Sequence, residues 1–179
     1  MLYIKGHSFS SMGGKLWLLV KKINYMTNIA CEERREQDMV IETRSPEETF
    51  QVGKSLGEKA YPGQVLTLTG DLGVGKTVFT QGLAKGLGIE EPVNSPTFTI
   101  VQVYEEGRLP FYHFDVYRIG DVEEMDEVGF EEYTMGEGVS LIEWANLIEE
   151  ILPEKRTNIQ IEKDLERGFD YRRITIEEQ

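Results

Sequence analysis

Gly70-Asp71-Leu72-Gly73-Val74-Gly75-Lys76-Thr77 fits G-x-x-x-x-G-K-[ST], the phosphate-binding loop pattern, at every fixed position. Val65-Leu66-Thr67-Leu68-Thr69 precedes it and reads as a buried strand. Val78, Phe79, Leu83, Ala84 and Leu87 follow at helical spacing, and Gly88 suits the end of that helix. Strand, glycine loop and helix are the parts a triphosphate needs. Glycines let the backbone wrap closely around phosphate oxygens. Successive N–H groups form an anion-binding nest, and the helix N-terminus adds the positive end of its dipole. On this pattern the segment from Asp71 to Val78 (Asp71, Leu72, Gly73, Val74, Gly75, Lys76, Thr77 and Val78) binds the nucleotide. Lys76 supplies an ammonium to the β- and γ-phosphates, and the Thr77 hydroxyl is a Mg²⁺ ligand. The motif gives nucleotide binding without giving the reaction.

At 179 residues the chain is most simply one domain with a real core. Its formal charge of −13 argues against gripping nucleic acid unaided, because phosphate contacts need a basic surface. An acidic surface can still meet a basic partner protein. A single cysteine, Cys31, allows no internal disulfide and suits a reducing cytosol. The longest early apolar run, Leu16 to Val20, is too short to span a bilayer or to form a good signal-peptide core. The expectation is a cytoplasmic protein.

Residues 1–38 differ from the rest, carrying +2 against −15 for the remainder. Serine and glycine clusters without a sustained period mark them as a poorly ordered appendage, or as translation assigned upstream of a natural start at Met26 or Met39. The alternative is a short basic amphipathic arm. Residues 39–179 form the expected nucleotide-binding domain.

Met39–Thr43 reads as a first strand. Ser45-Pro46-Glu47-Glu48 starts a helix with a capping box, running to about Ala60 with Phe50, Val52, Leu56 and Ala60 on its apolar side. Beyond the loop helix, Thr97–Tyr104 and Leu109–Tyr117 read as a hairpin, Asp121–Gly138 as an acidic helical connection, and Val139–Trp144 as a short buried strand. Ala145–Leu152 reads as a short helix, and 156–162 and 172–176 as two closing strands. The fold class is therefore α/β, with antiparallel strands beside a parallel core.

A second acid commonly completes a phosphate-loop metal site at a strand end. Glu143 and Asp115 both qualify; an ordinary strand-end acid is the bland alternative for each. His113 reads as a packed or hydrogen-bonded residue in preference to a base. Ser95-Pro96-Thr97 is either a loop that senses the γ-phosphate or a proline-shaped connection.

Taken in order, the phosphate loop, Asn94-Ser95-Pro96-Thr97-Phe98, His113-Phe114-Asp115-Val116-Tyr117-Arg118 and Ile142-Glu143-Trp144 resemble the TsaE (YjeE) family from about Val40 onward. The resemblance implies a bacterial ATPase required for threonylcarbamoyladenosine modification of tRNA at position 37, beside the anticodon. It implies ATP and Mg²⁺ as cofactors and the TsaD and TsaB proteins as partners. Contact with tRNA would come through that complex, with neither membrane nor DNA involved. It also implies a P-loop α/β sandwich whose mixed sheet holds parallel and antiparallel strands. Residue by residue, Lys76 is the phosphate lysine, Thr77 and Glu143 hold the metal, Asp115 places or activates water, Thr97 lies in a switch-like loop, and Trp144 borders the metal site. The competing classes are a small-molecule kinase, which would need an acceptor pocket and an arginine-bearing lid, and a nucleotide-gated binding module with negligible turnover. A GTPase is disfavoured, since no Asn-Lys-x-Asp occurs.

Overall fold

The structure is a computed structural model and describes residues 38–179. The expected poorly ordered appendage, its alternative as a basic amphipathic arm, and the candidate start at Met26 lie outside the described residues, apart from Asp38. Among the described residues no helix is long and apolar enough to cross a membrane.

The described elements are β1 (Met39–Thr43), α1 (Pro46–Lys59), β2 (Val65–Thr69), α2 (Lys76–Gly86), β3 (Val101–Tyr104), β4 (Phe111–Asp115), α3 (Glu124–Glu127), α4 (Phe130–Thr134), β5 (Val139–Glu143), β6 (Thr157–Lys163) and β7 (Arg172–Glu178). The strands make one seven-stranded sheet in the order β1-β7-β6-β2-β5-β4-β3. Strands β6, β2, β5 and β4 run parallel, while β3, β7 and β1 add antiparallel edges. This is the expected α/β mixed sheet. Its central strand β2 is flanked by β5 and β6, so the phosphate loop leaves the middle of the sheet at the strands' C-terminal edge.

Alternation along the strands builds two cores. Leu66 and Leu68 join Phe79, Leu83, Leu141, Ile159 and Ile161 beneath α1 and α2. Val65, Phe114, Val116 and Ile142 pack with Met125, Phe130, Ala145 and Ile148 on the other face. As expected, Phe111 and His113 on β4 face opposite to Tyr112 and Phe114.

Helix α1 begins at Ser45, whose hydroxyl accepts the Glu48 N–H at 3.1 Å. The Glu48 carboxylate reaches one residue further back than a capping box requires and accepts the Arg44 N–H at 2.6 Å. Ser45→Ala should cost about 1 kcal/mol of stability, read as a lowered urea midpoint at unchanged slope. An unmoved midpoint would contradict the cap.

The expected apolar side of α1 is present in part, with Ala60 in the core and Val52 and Leu56 packed against it, but the most deeply buried positions within the helix are others. Val52 and Leu56 are only half-buried, while Thr49, Gly53 and Gly57 are buried against α2. A Cβ on Gly53 would lie 2.1 Å from the Phe79 carbonyl oxygen, and one on Gly57 2.1 Å from that of Leu83. Reciprocally, Cβ atoms on Gly82 and Gly86 would lie 2.1 Å and 2.2 Å from the Phe50 and Lys54 oxygens. Four glycines thus let the two helices pack backbone to backbone. Gly88, at φ 86°, closes α2 as expected: its N–H bonds the Lys85 carbonyl and the Ile89 N–H bonds that of Ala84.

Several expected boundaries change, and the second hairpin strand, expected over Leu109–Tyr117, spans only Phe111–Asp115. Strand β3 begins at Val101, because Thr97–Thr99 form a turn and Ile100 sits at φ 66°. The acidic connection holds two short helices, broken at Gly129. Ala145–Leu152 is two 3₁₀ turns, because Trp144 enters at φ 63° and Ile148 at φ −129° leaves helical geometry.

Candidate functional site

A cavity of about 440 Å³ opens where β2, β4 and β5 end. Leu72, Gly73, Gly75, Lys76 and Thr77 line it from the loop, Ser95 and Thr97 from the preceding connection, Asp115 and Tyr117 from β4, and Glu143 and Trp144 from β5. The parallel register of β4 and β5 sets Asp115 beside Glu143. Two acids 28 positions apart in sequence thus become neighbours.

Gly75 is the N-cap of α2 at φ 101°, a conformation that any side chain would strain, and nothing lies within 4 Å of where its Cβ would be. The loop therefore leaves open space over the first turn of α2, where free N–H groups gather. Lys76 folds back into this space. Its Nζ donates to the carbonyls of Gly70 at 2.8 Å and Asp71 at 3.1 Å, and lies 4.0 Å from the centre of the Trp144 ring. Burial holds the Lys76 ammonium below the ordinary lysine value, against the pull of Glu143, Asp115 and Asp71, whose charges raise it.

Of the other loop residues singled out from sequence, Asp71 is exposed and contributes its carbonyl, Val78 is half-buried in the first turn of α2, and the Val74 side chain is buried in the core. The Val74 carbonyl accepts from Arg172 Nε at 2.6 Å. Arg172 thus pins the loop from β7, a role its position in the sequence does not suggest.

Asp115 is 3% exposed, and both its oxygens are engaged. Oδ2 accepts from the Ser95 hydroxyl and from Thr97 Oγ1, the latter at 2.7 Å, while Oδ1 accepts the Tyr117 N–H at 3.1 Å. The Ser95-Pro96-Thr97 connection is therefore latched to the end of β4 by its hydroxyls. Glu143 is 2% exposed. Its Oε1 meets His113 Nε2 at 2.9 Å and accepts from Thr80 Oγ1 at 3.4 Å. No hydrogen bond among the described residues engages its Oε2. Thr80 was missed from sequence because it reads as an ordinary helix residue. It lies four residues after Lys76 on α2, and its hydroxyl also donates to the Lys76 carbonyl.

The donor chemistry fits a Mg²⁺ nucleotide. The loop offers N–H groups and an ammonium for phosphate, while the Thr77 hydroxyl and Glu143 carboxylate are the oxygen ligands Mg²⁺ prefers. Among the described residues no cluster of three His, Cys, Asp or Glu side chains could hold a metal alone. A cation here would share its coordination with phosphate and water.

The family model described as "Threonylcarbamoyl adenosine biosynthesis protein TsaE" matches residues 43–174. The chain belongs to the TsaE family. It is 54% identical over 134 residues to the tRNA threonylcarbamoyladenosine biosynthesis protein TsaE of Bacillus subtilis, covering 75% of this chain and 82% of that one. With the TsaE of Treponema pallidum the identity is 43% over 119 residues, covering 66% and 87%. The crystal structure of Bacillus subtilis YdiB superimposes with a TM-score of 0.68 at 47% identity, over 78% of this chain and 84% of that one. The matched region holds every TsaE motif read from the sequence, from the phosphate loop to Glu143-Trp144.

Proposed function

We propose that this member of the TsaE family is a Mg²⁺-dependent ATPase that acts on the TsaD–TsaB complex during threonylcarbamoyladenosine modification of tRNA, with low turnover when alone. The observation that carries the reading is the convergence of the Lys76 ammonium and the Asp115 and Glu143 carboxylates on one cavity at the lip of the phosphate loop. Family membership supports the pathway.

In this mechanism the loop amides and the α2 N-terminus receive the phosphates. Lys76 exchanges its contacts with the Gly70 and Asp71 carbonyls for β- and γ-phosphate oxygens. Thr77 and Glu143 would hold the cation, which when bound would neutralise charge on the phosphates. Asp115 orients the attacking water, and Thr97 senses the γ-phosphate. Catalysis is positioning and charge stabilisation, with water as acceptor.

The Ser95 and Thr97 hydroxyls both occupy Asp115 Oδ2, the oxygen they would have to share with an attacking water. That gives the partner complex something to do: docking that moves the 95–97 connection would release the base. The protein would act in the cytoplasm and reach tRNA through the complex, without DNA or membrane. Arg118 lies 4.4 Å over the exposed Phe98 ring. It is one candidate to supply charge; a group from the partner is the other.

Phosphate release from ATP should rise when the TsaD–TsaB pair is added. Tight ATP binding with no release in either condition would sink the ATPase and favour a nucleotide-gated module, which the latched Asp115 also suits. The kinase reading is weaker: of the late arginines Arg167, Arg172 and Arg173 that a lid could use, Arg167 pairs with Glu42, Arg172 holds the Val74 carbonyl and Arg173 lies within β7. Asp115→Asn keeps one acceptor oxygen for the hydroxyls but removes the base. Partner-stimulated turnover should fall roughly 10²-fold with ATP affinity retained, measured by single-turnover hydrolysis and equilibrium binding. Undiminished turnover would remove Asp115 from the chemistry.

A further inference from the structure

His113 is fully buried, and its Nδ1 has no hydrogen-bond partner. It stacks on Phe111 with ring centres 5.9 Å apart, and its register partner on β5 is Leu141. Packing alone would favour an apolar side chain here, because an unpaired buried nitrogen carries a desolvation cost. The compensating contact is Nε2 to Glu143 Oε1 at 2.9 Å, made inside a site where both groups are almost wholly shielded from water.

With Glu143 ionised, as a cation ligand must be, its oxygens only accept, which gives the hydrogen of this contact to Nε2. Thr80 Oγ1, at 3.4 Å, is a longer second contact to the same oxygen. His113 is therefore the principal group holding Oε1, and it stands on the rigid β4 strand next to the one carrying Glu143. With Oε1 held inward, Oε2 is the oxygen left for the cavity that Glu143 lines.

We propose that His113 is a positioning residue that clamps one oxygen of Glu143 so that the other is presented to the Mg²⁺ of the bound nucleotide. This rests on the reading of Glu143 as the acid that shares the cation with Thr77. A group that orients a metal ligand sets how tightly the metal is held, and its loss commonly costs 10–100-fold in metal affinity.

The test is equilibrium binding of a fluorescent, non-hydrolysable ATP analogue, titrated with Mg²⁺ and repeated in EDTA, for the intact chain and for His113→Leu, His113→Gln and Glu143→Gln. In EDTA the affinity of the intact chain and both His113 variants should be the same. The Mg²⁺ concentration giving half of the metal-dependent gain should rise about tenfold or more in His113→Leu. It should return towards the intact value in His113→Gln, whose amide N–H can replace Nε2. If Glu143→Gln leaves the Mg²⁺ dependence unchanged, the reading of Glu143 itself fails. If Glu143→Gln shifts it and His113→Leu does not, the positioning role is overturned. Equal weakening of His113→Leu with and without metal would make His113 a packing residue and also overturn the role. Should His113→Leu not fold, a long-range ¹H–¹⁵N spectrum of the intact chain decides. The role requires a hydrogen-bearing Nε2 whose shift moves when Mg²⁺ is added to the analogue-bound protein, and an Nε2 signal indifferent to Mg²⁺ overturns it.

Discussion

Lys76→Ala should lower ATP hydrolysis in the presence of the TsaD–TsaB pair by roughly 10²-fold or more, the scale on which removing one preorganised charge donor acts. Lys76 is 7% exposed, and its ammonium is already aimed into the cradle, where it satisfies the Gly70 and Asp71 carbonyls. Its partners there are weaker than phosphate oxygens, so the exchange on nucleotide binding is downhill. Alanine is a better helix former than lysine and removes a charge that burial penalises. The variant should therefore unfold as cooperatively as the intact chain, and the lost rate can be assigned to chemistry. Hydrolysis that survives at a third or more of the intact rate would show that the measured turnover does not pass through this loop.

Gly82→Ala should destabilise the domain by about 3 kcal/mol, at the upper end of overpacking costs. Helix propensity alone predicts the opposite sign, since alanine is favoured over glycine by about 1 kcal/mol in a helix interior. The seam decides between them. A Cβ at Gly82 would lie 2.1 Å from the Phe50 carbonyl oxygen, and the atom in the way is backbone. Either α1 moves off α2 or the helix bends, and both loosen the helix that begins at Lys76. Denaturant unfolding reads the sign directly. A stabilised Gly82→Ala would mean that the two helices do not pack in contact.

What was legible in the sequence follows how local the signal was. The phosphate loop, its strand and its helix are specified within a few residues of one another. So are the Ser45 cap and the Gly88 terminus. Asp115 and Glu143 were both candidates, and sequence could not choose between them because their relation is one of strand register. Once β4 lies parallel to β5, both acids reach the same cavity and no choice is needed. The glycine seam was missed because apolar side chains were sought on α1. The signal was present all the same, as glycines four apart in both helices, Gly53 with Gly57 and Gly82 with Gly86. Thr97–Thr99 looked like strand because threonine and phenylalanine favour it. The Thr97 hydroxyl instead joins that of Ser95 on Asp115, and this tertiary latch overrides propensity. Likewise, nothing local marks Trp144 for a left-handed backbone.

That tryptophan makes the domain self-reporting. The chain has two tryptophans, and Trp17 lies in the segment before Met39, so a chain begun at Met39 would emit from Trp144 alone. Its indole rests against the Lys76 ammonium on one side and packs on Tyr117, with ring centres 4.9 Å apart, on another. On the proposed function the ammonium would turn from its own loop to a phosphate, and the charge pressed against the emitter would move. Occupancy of the cradle can then be followed as an optical signal in unlabelled protein, on the timescale of binding, without waiting for product.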